Sequence, residues 1–119
     1  MKDVMQKILF VEDDELVLAS STEMMRDLGH IVVQSRNAED AMNFLQQISF
    51  DVLVADIGLS GLSGDVLAAE ARGLQPNLRI VFATGKDILR GAGKDGFGPV
   101  VLRKPYDSAA IAAALHIAV

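Results

Sequence analysis

Residues 51–64 have the sequence DVLVADIGLSGLSG. The apolar run at 52–55 contains β-branched residues and is typical of a strand buried on both faces of a sheet. Asp56 follows this run directly, and the glycines and serines after it predict a loop that leads into a helix. Because ligands bind at the carboxyl edge of parallel sheets, Asp56 is a candidate reactive carboxylate. A solvated loop aspartate is the alternative interpretation.

The composition predicts one small domain, residues 1–119, in which half of the residues are hydrophobic. The net charge of -5 and the absence of a basic run argue against nucleic-acid binding. The chain has no cysteine, which excludes disulfides and thiolate metal sites. Residues 1–6 are too polar for a signal peptide, and no apolar run approaches the roughly 18 residues of a membrane-spanning helix. We therefore expect a cytoplasmic domain without membrane contact.

Short apolar segments alternate with helical patterns along the chain. Strands are predicted at residues 7–11, 30–33, 52–55, 78–83 and 99–103, and helices at 15–28, from 38 onward, at 65–72 and at 108–119. Residues 86–98 contain four glycines and a poor helical pattern, so any helix there is expected to be short. Asp14, Asn37 and Asp107 are the expected N-caps. This alternation predicts an α/β fold, a single doubly wound five-stranded parallel sheet with helices on both faces.

The spacing of apolar residues also predicts which side chains each helix turns toward the sheet. In the first helix the apolar residues Val17, Met24 and Leu28 keep helical spacing. The expected inward residues of the second helix are Ala41, Leu45 and Ile48, and the apolar face of the last helix carries Ile111 and Leu115. We expect these residues to form the part of the hydrophobic core that the helices contribute.

Polar residues lie at the ends of four of the five strands: Glu12 and Asp13, Asp56, Thr84, and Lys104. In the flavodoxin-like strand order 2-1-3-4-5 these four strands are neighbours, so the groups converge. Three carboxylates close together repel one another unless cations lie among them, and Mg²⁺ with Lys104 would supply two. An ionised aspartate beside such cations can attack a phosphoryl group, to which a threonine hydroxyl could donate a hydrogen bond.

Four short motifs in this order and spacing carry a family resemblance: VEDD (11–14), the loop after Asp56, FATG (82–85) and RKPY (103–106). Over essentially its whole length the chain resembles the receiver (CheY-like response regulator) domain of two-component signal transduction. That domain is the phosphoacceptor module of response regulators and hybrid histidine kinases. By this resemblance, the receiver of a hybrid histidine kinase is slightly favoured over a stand-alone regulator.

The resemblance implies a phosphorelay function, in which Asp56 accepts a phosphoryl group from a histidine kinase or a histidine phosphotransfer protein. It implies Mg²⁺ as the cofactor. Association into a weak homodimer stays an open alternative to a monomer. The implied metal ligands are Glu12, Asp13, Asp56 and the backbone carbonyl of Gly58, and the implied contacts to the phosphoryl oxygens are Thr84 and Lys104. Pro105 resembles the proline that fixes the lysine loop, through a cis peptide bond.

The chain departs from the family pattern at three places. Ser60 stands where receivers usually carry a proline, so the loop after Asp56 is expected to be looser. Val101 occupies the position of the family's aromatic switch residue, and Tyr106 is not its equivalent. Because no ring is available to swing, we expect phosphorylation to reorder residues 86–98 rather than to rotate a side chain.

Two other functions remain as alternatives. A receiver-like module that is never phosphorylated could signal by protein binding alone, although the acidic, threonine and lysine residues argue against it. A phosphohydrolase on a similar sheet would need a second aspartate two residues after the nucleophile. Gly58 occupies that position, so the chain lacks the acid and base of such an enzyme.

Overall fold

The computed structural model describes residues 5–59, 63–84, 100–104 and 106–118. Five strands are present, β1 (Lys7–Val11), β2 (Ile31–Ser35), β3 (Val52–Asp56), β4 (Arg79–Thr84) and β5 (Val100–Arg103). Four helices accompany them, α1 (Glu15–Asp27), α2 (Ala38–Gln47), α3 (Gly64–Leu74) and α4 (Ser108–Ala118). The predicted helical slot at 86–98 lies outside the described residues. No helix within the described ranges has the length and apolarity needed to cross a membrane.

The five strands form one parallel sheet in the order β2-β1-β3-β4-β5, which confirms the predicted topology. In the sheet register Val11 lies beside Ala55, Asp56 beside Ala83, and Thr84 beside Arg103. The carboxyl ends of β1, β3, β4 and β5 therefore lie in a row. Residues that end or follow these strands are brought to one edge of the sheet.

The sheet is buried on both faces, as the apolar runs predicted. Leu9 and Leu53 pack with α2 and α3 on one face, whereas Phe10 and Val54 pack with α1 and α4 on the other. All four side chains are at most 1% exposed. Alternating side chains of the central strands thus hold a helical layer on each side, which is the usual arrangement of a doubly wound parallel sheet.

Three helices begin at the caps that the sequence predicted. The Asp14 carboxylate accepts hydrogen bonds from two backbone N–H groups of the first turn of α1. Asn37 and Asp107 each accept one N–H hydrogen bond from the residue three positions later, at 2.8 and 2.9 Å. These contacts satisfy N–H groups that a helix leaves without partners, and they fix where the helices start.

Two of the four buried residues of α1 carry hydroxyl groups. Its inward residues are Leu18, Ser21, Thr22 and Met25, whereas Val17, Met24 and Leu28 are only half-buried. The two hydroxyl residues are buried because their oxygens find partners. Ser21 donates to the Tyr106 hydroxyl, and Thr22 accepts from the Gln34 amide. Hydrophobic spacing alone could not assign them to the interior. The predicted inward residues of α2 and α4 are buried, except that Ile48 is half-buried.

One glutamine side chain connects three segments by hydrogen bonds at the edge of the sheet opposite to the carboxyl ends of the strands. The Gln75 side chain accepts the Phe50 N–H at 2.9 Å and donates to the carbonyls of Leu45 and Ile48, at 2.8 and 2.7 Å. It therefore joins the end of α3 to the end of α2 and to the segment that enters β3. No local pattern in the sequence indicated this role.

Candidate functional site

Asp56 is the last residue of β3 and stands at the centre of the carboxyl edge. Its Oδ1 accepts the Gly58 N–H at 2.9 Å, and its Oδ2 lies 3.2 Å from the Lys104 ammonium. The side chain is 13% exposed. The carboxylate is thus held in place by two donors and is still open to solvent on one side.

Glu12 follows β1 and is fully buried. Its Oε2 accepts the Asp14 N–H at 3.2 Å. Its Oε1 makes no hydrogen bond of regular geometry and lies 2.7 Å from Lys104 Nζ. Burial raises the pKa of Glu12 above its ordinary value, although the neighbouring ammonium acts in the opposite direction. The neighbouring ammonium therefore favours the ionised form of this buried carboxylate.

Lys104, which follows β5, bridges the Glu12 and Asp56 carboxylates with a side chain that is 23% exposed. Burial by itself would lower the pKa of Lys104, but the two carboxylates outweigh it and raise the pKa above its ordinary value. The ammonium is therefore protonated at neutral pH. Among the described side chains, it lies between two of the three carboxylates that meet at this edge.

The acidic residues of the site fit a hard divalent cation. Glu12, Asp13 and Asp56 each offer a carboxylate oxygen, and these oxygens lie within 4.8 Å of one another. An all-oxygen set with excess negative charge, including the poorly satisfied Oε1 of Glu12, suits Mg²⁺. Gly58 contacts the cluster through its N–H, so its carbonyl as a metal ligand stays a prediction.

Other predicted site residues are only partly described. Thr84 ends β4, one strand away from Asp56, and its side chain lies outside the described part of the chain. Pro105, Ser60 and residues 86–98 also lie outside it. Val101 is half-buried and lies beside Phe82 in the sheet register. The expectations for the proline peptide bond, the loop and the reordering of 86–98 therefore stay predictions.

Gly64 is a residue of the site that the sequence analysis missed. Its N–H donates to the Ile57 carbonyl at 3.2 Å, where the start of α3 crosses the backbone after Asp56. A Cβ at this position would lie 2.9 Å from Ile57 Cα and well inside van der Waals contact of the Asp56 carbonyl oxygen. By contrast, a Cβ on Gly58 would make an ordinary 3.7 Å contact with Asp56 Oδ1. A glycine among the first residues of a helix is the signal that could have identified Gly64.

Tyr106, the only tyrosine of the chain, lies beside this site, and its hydroxyl accepts the Ser21 hydrogen bond at 2.9 Å. Burial raises the pKa of Tyr106 above its ordinary value of 10.0, while the Ser21 hydrogen bond lowers it.

Titration of phenolate absorbance is therefore expected to give a midpoint above pH 10.0, and Ser21→Ala is expected to move it higher. Because the folded pKa exceeds the unfolded one, this group should destabilise the fold as the pH rises above 10.0.

The control for this titration is the same protein in concentrated urea, where the midpoint should return to about 10. A midpoint at or below 10.0 in the folded domain, or a lower midpoint in Ser21→Ala, would contradict the described burial and hydrogen bond.

Comparison with known proteins identifies the family. The family model for the response regulator receiver domain matches residues 8–116. The response regulator receiver protein CpdR of Brucella abortus (strain 2308) is 32% identical over 81 residues, which cover 68% of each chain. The sensor kinase CckA of the same organism is 22% identical over 80 residues, 66% of this chain and 8% of that protein.

The fold is also shared with solved structures. The chemotaxis response regulator CheY4 of Vibrio cholerae superposes with a TM-score of 0.85 at 20% identity, over 98% of this chain and 100% of that one. The strand order, the acidic edge and the match along nearly the whole sequence agree with one another. The chain belongs to the response regulator receiver domain family, the phosphoacceptor modules of two-component signalling.

Proposed function

We propose that Asp56 is the phosphoacceptor of this receiver domain and takes its phosphoryl group from a histidine kinase or a histidine phosphotransfer protein in a Mg²⁺-dependent reaction. The observation that carries the proposal is the setting of Asp56. Its carboxylate ends a central strand, contacts the Lys104 ammonium at 3.2 Å and shares its edge with two further carboxylates. It is partly exposed and lies among groups suited to charge neutralisation.

The reaction is a displacement at phosphorus. An oxygen of the Asp56 carboxylate attacks the phosphorus of a phosphohistidine, and the P–O bond forms as the P–N bond breaks. The leaving imidazole takes the bonding electrons and departs neutral, because its other nitrogen already carries a proton. The Gly58 N–H holds the carboxylate in place, and the Lys104 ammonium faces the charge that gathers on the phosphoryl oxygens.

Glu12, Asp13 and Asp56 would hold Mg²⁺, with the Gly58 carbonyl proposed as a further ligand. The ion would neutralise negative charge on the phosphoryl group. Thr84 is proposed to donate its hydroxyl hydrogen to a phosphoryl oxygen. Because these groups all belong to the acceptor, we propose that the domain catalyses both its own phosphorylation and its own dephosphorylation.

The test uses acetyl phosphate and Mg²⁺, with the product followed by intact mass. We expect the unaltered protein to gain one phosphoryl group and Asp56→Asn to gain none. Asp27→Asn, a change of the same kind at an exposed position at the end of α1, should behave like the unaltered protein. Removal of Mg²⁺ with a chelator should also abolish the adduct.

An adduct that persists in Asp56→Asn would refute the assignment. If the small donor gives no adduct at all, binding of beryllofluoride, which imitates the phosphoryl group, provides the second measurement. Failure of both would favour a receiver-like module that acts by protein binding alone.

The wider role follows from the family. We propose that residues 1–119 act as one cytoplasmic receiver domain, either alone or as the receiver of a hybrid histidine kinase. The weak homodimer stays a prediction. Pull-down experiments with the unaltered domain and with Asp56→Asn would compare which cognate kinases bind to each of them.

A further inference from the structure

We infer that the Arg26 side chain keeps the free edge of β2 closed, and that without it this edge pairs with the same strand of a second copy of the chain. The free edge is the side of β2 that faces away from β1, its strand neighbour in the described sheet. It includes none of the residues proposed to take part in phosphorylation, so the two proposals are tested separately.

Alternate residues of β2 direct their backbone groups toward the free edge. The Ile31 N–H and the Ser35 carbonyl each form a 3.0 Å hydrogen bond with the backbone that flanks β1. By the alternation of a parallel ladder, residue 33 also bonds inward to β1. The N–H and carbonyl groups of Val32 and Gln34 therefore point outward, where a further strand could pair with them.

The sequence of β2 lacks the features that usually protect an edge strand. Natural proteins place charged residues, prolines or bulges on such strands, because unpaired backbone groups invite pairing with another chain. Residues 31–35, IVVQS, contain no charge and no proline, and they pair with β1 in unbroken register. The strand is also as long as β1. Protection of this edge must therefore come from a residue outside the strand.

Arg26, in the last turn of α1, supplies this protection. Its Nη2 donates to the Val32 carbonyl at 2.9 Å. Neighbouring strands lie about 4.8 Å apart, so a guanidinium bound to this oxygen occupies the space of the next backbone. Gln34 has no such cover, because its outward N–H and carbonyl make no hydrogen bond among the described residues. Removal of one arginine would thus open the whole edge.

The outward groups fit the β2 strand of a second copy. In an antiparallel pair centred on residue 33, Val32 of each copy would exchange both backbone hydrogen bonds with Gln34 of the other. The same patch then serves both copies, which closes the contact as a two-fold dimer. Ile31 of the second copy would lie opposite Ser35 and on the same face of the sheet.

A cavity of about 440 Å³ lies where that isoleucine would arrive. It is lined by Ser35 of the strand, Leu18 of α1 and the half-buried Phe44 of α2, among others. Ile31 is 45% exposed, and pairing would carry its side chain toward these apolar walls. A second copy therefore supplies both the strand and the apolar side chain that this edge can accept.

The test compares Arg26→Ala with Arg72→Ala by sedimentation velocity over a range of protein concentrations. Arg72 is the matched control, because it lies in the last turn of α3 and donates to the Leu78 carbonyl at 3.0 Å, also six residues later. That contact leads into β4, which has a strand on each side. We expect the mass of Arg26→Ala to rise toward twice that of the monomer with concentration, and Arg72→Ala to behave like the unaltered protein.

Ile31→Lys in the Arg26→Ala background should abolish the association, because a charge on an edge strand opposes pairing. In Arg26→Ala alone, the Gln34 amide should exchange more slowly with solvent as the protein concentration rises. Relief of charge repulsion cannot produce these results. Loss of an arginine makes the net charge of -5 more negative and increases the repulsion between copies.

A mass of Arg26→Ala that does not change with concentration would overturn the inference. Equal association of Arg72→Ala, or association that survives Ile31→Lys, would overturn it as well. If Arg26→Ala does not fold, Arg26→Leu takes its place, because leucine lacks the donor but retains aliphatic contact with the strand. The expected result and the grounds for rejection are then the same.

Discussion

Lys104→Gln is expected to slow formation of phospho-Asp56 by about 100- to 1,000-fold at saturating Mg²⁺, the usual cost of removing one donor to a developing anion. The ammonium is 3.2 Å from the Asp56 carboxylate and is protonated at neutral pH, so it can neutralise the transferred group. The time course of the acetyl phosphate adduct by intact mass measures the rate. Lys104→Arg retains the charge in a different geometry and should recover part of the loss.

Binding of Mg²⁺, followed by amide NMR titration, is the control for this result. A variant that was merely misfolded would lose both phosphorylation and Mg²⁺ binding. We expect Lys104→Gln to lose the first and to keep the second, because the three carboxylates proposed to hold the ion are unchanged. An unchanged rate at saturating Mg²⁺ would remove Lys104 from the reaction.

Gly64→Ala is expected to destabilise the domain by about 1–3 kcal/mol through overpacking, despite the higher helix propensity of alanine. The added methyl group would overlap the Asp56 carbonyl and lie 2.9 Å from Ile57 Cα. Backbone must therefore move at Asp56, the proposed phosphoacceptor. Urea unfolding gives the loss of stability, and we expect a slower rate of phosphorylation to accompany it.

Gly73→Ala is the matched control in the same helix. A Cβ at Gly73 meets nothing within 4 Å, and its backbone is helical. This substitution should stabilise the domain by about 0.5–1 kcal/mol, the ordinary preference of a helix interior for alanine. Changes of the same sign at both positions would contradict the close packing described for Gly64.

The features that the sequence predicted correctly are local ones. The apolar run before Asp56 identified a strand buried on both faces, and the capping residues Asp14, Asn37 and Asp107 identified helix starts. Each depends on residues a few positions apart, so its physical cause is visible in a short window. The alternation of elements predicted a doubly wound parallel sheet, and the flavodoxin-like strand order assumed for it placed the acidic strand ends on one edge.

The features that the sequence did not predict are contacts between distant side chains. Ser21 and Tyr106 are 85 positions apart, and Gln75 and Phe50 are 25 apart. Neither pair leaves a periodic signal, so the hydroxyls on α1 were not expected inside. The requirement for Gly64 is also tertiary, because it arises where α3 crosses the backbone after Asp56. The pairing of Glu12 with Lys104 was likewise not predicted, because it depends on how far the glutamate side chain reaches toward the lysine in the folded chain.

Gly58 and Gly64 both follow Asp56, and they differ in how freely evolution could replace them. Gly64 is fixed by the fold, since any side chain would collide with backbone. Gly58 is not, because a Cβ there makes only a 3.7 Å contact with Asp56 Oδ1. A single substitution at position 58 would place a new side chain beside the Asp56 carboxylate without disturbing the scaffold. The chemical surroundings of Asp56 can therefore diverge between descendants of this domain while its architecture stays constant.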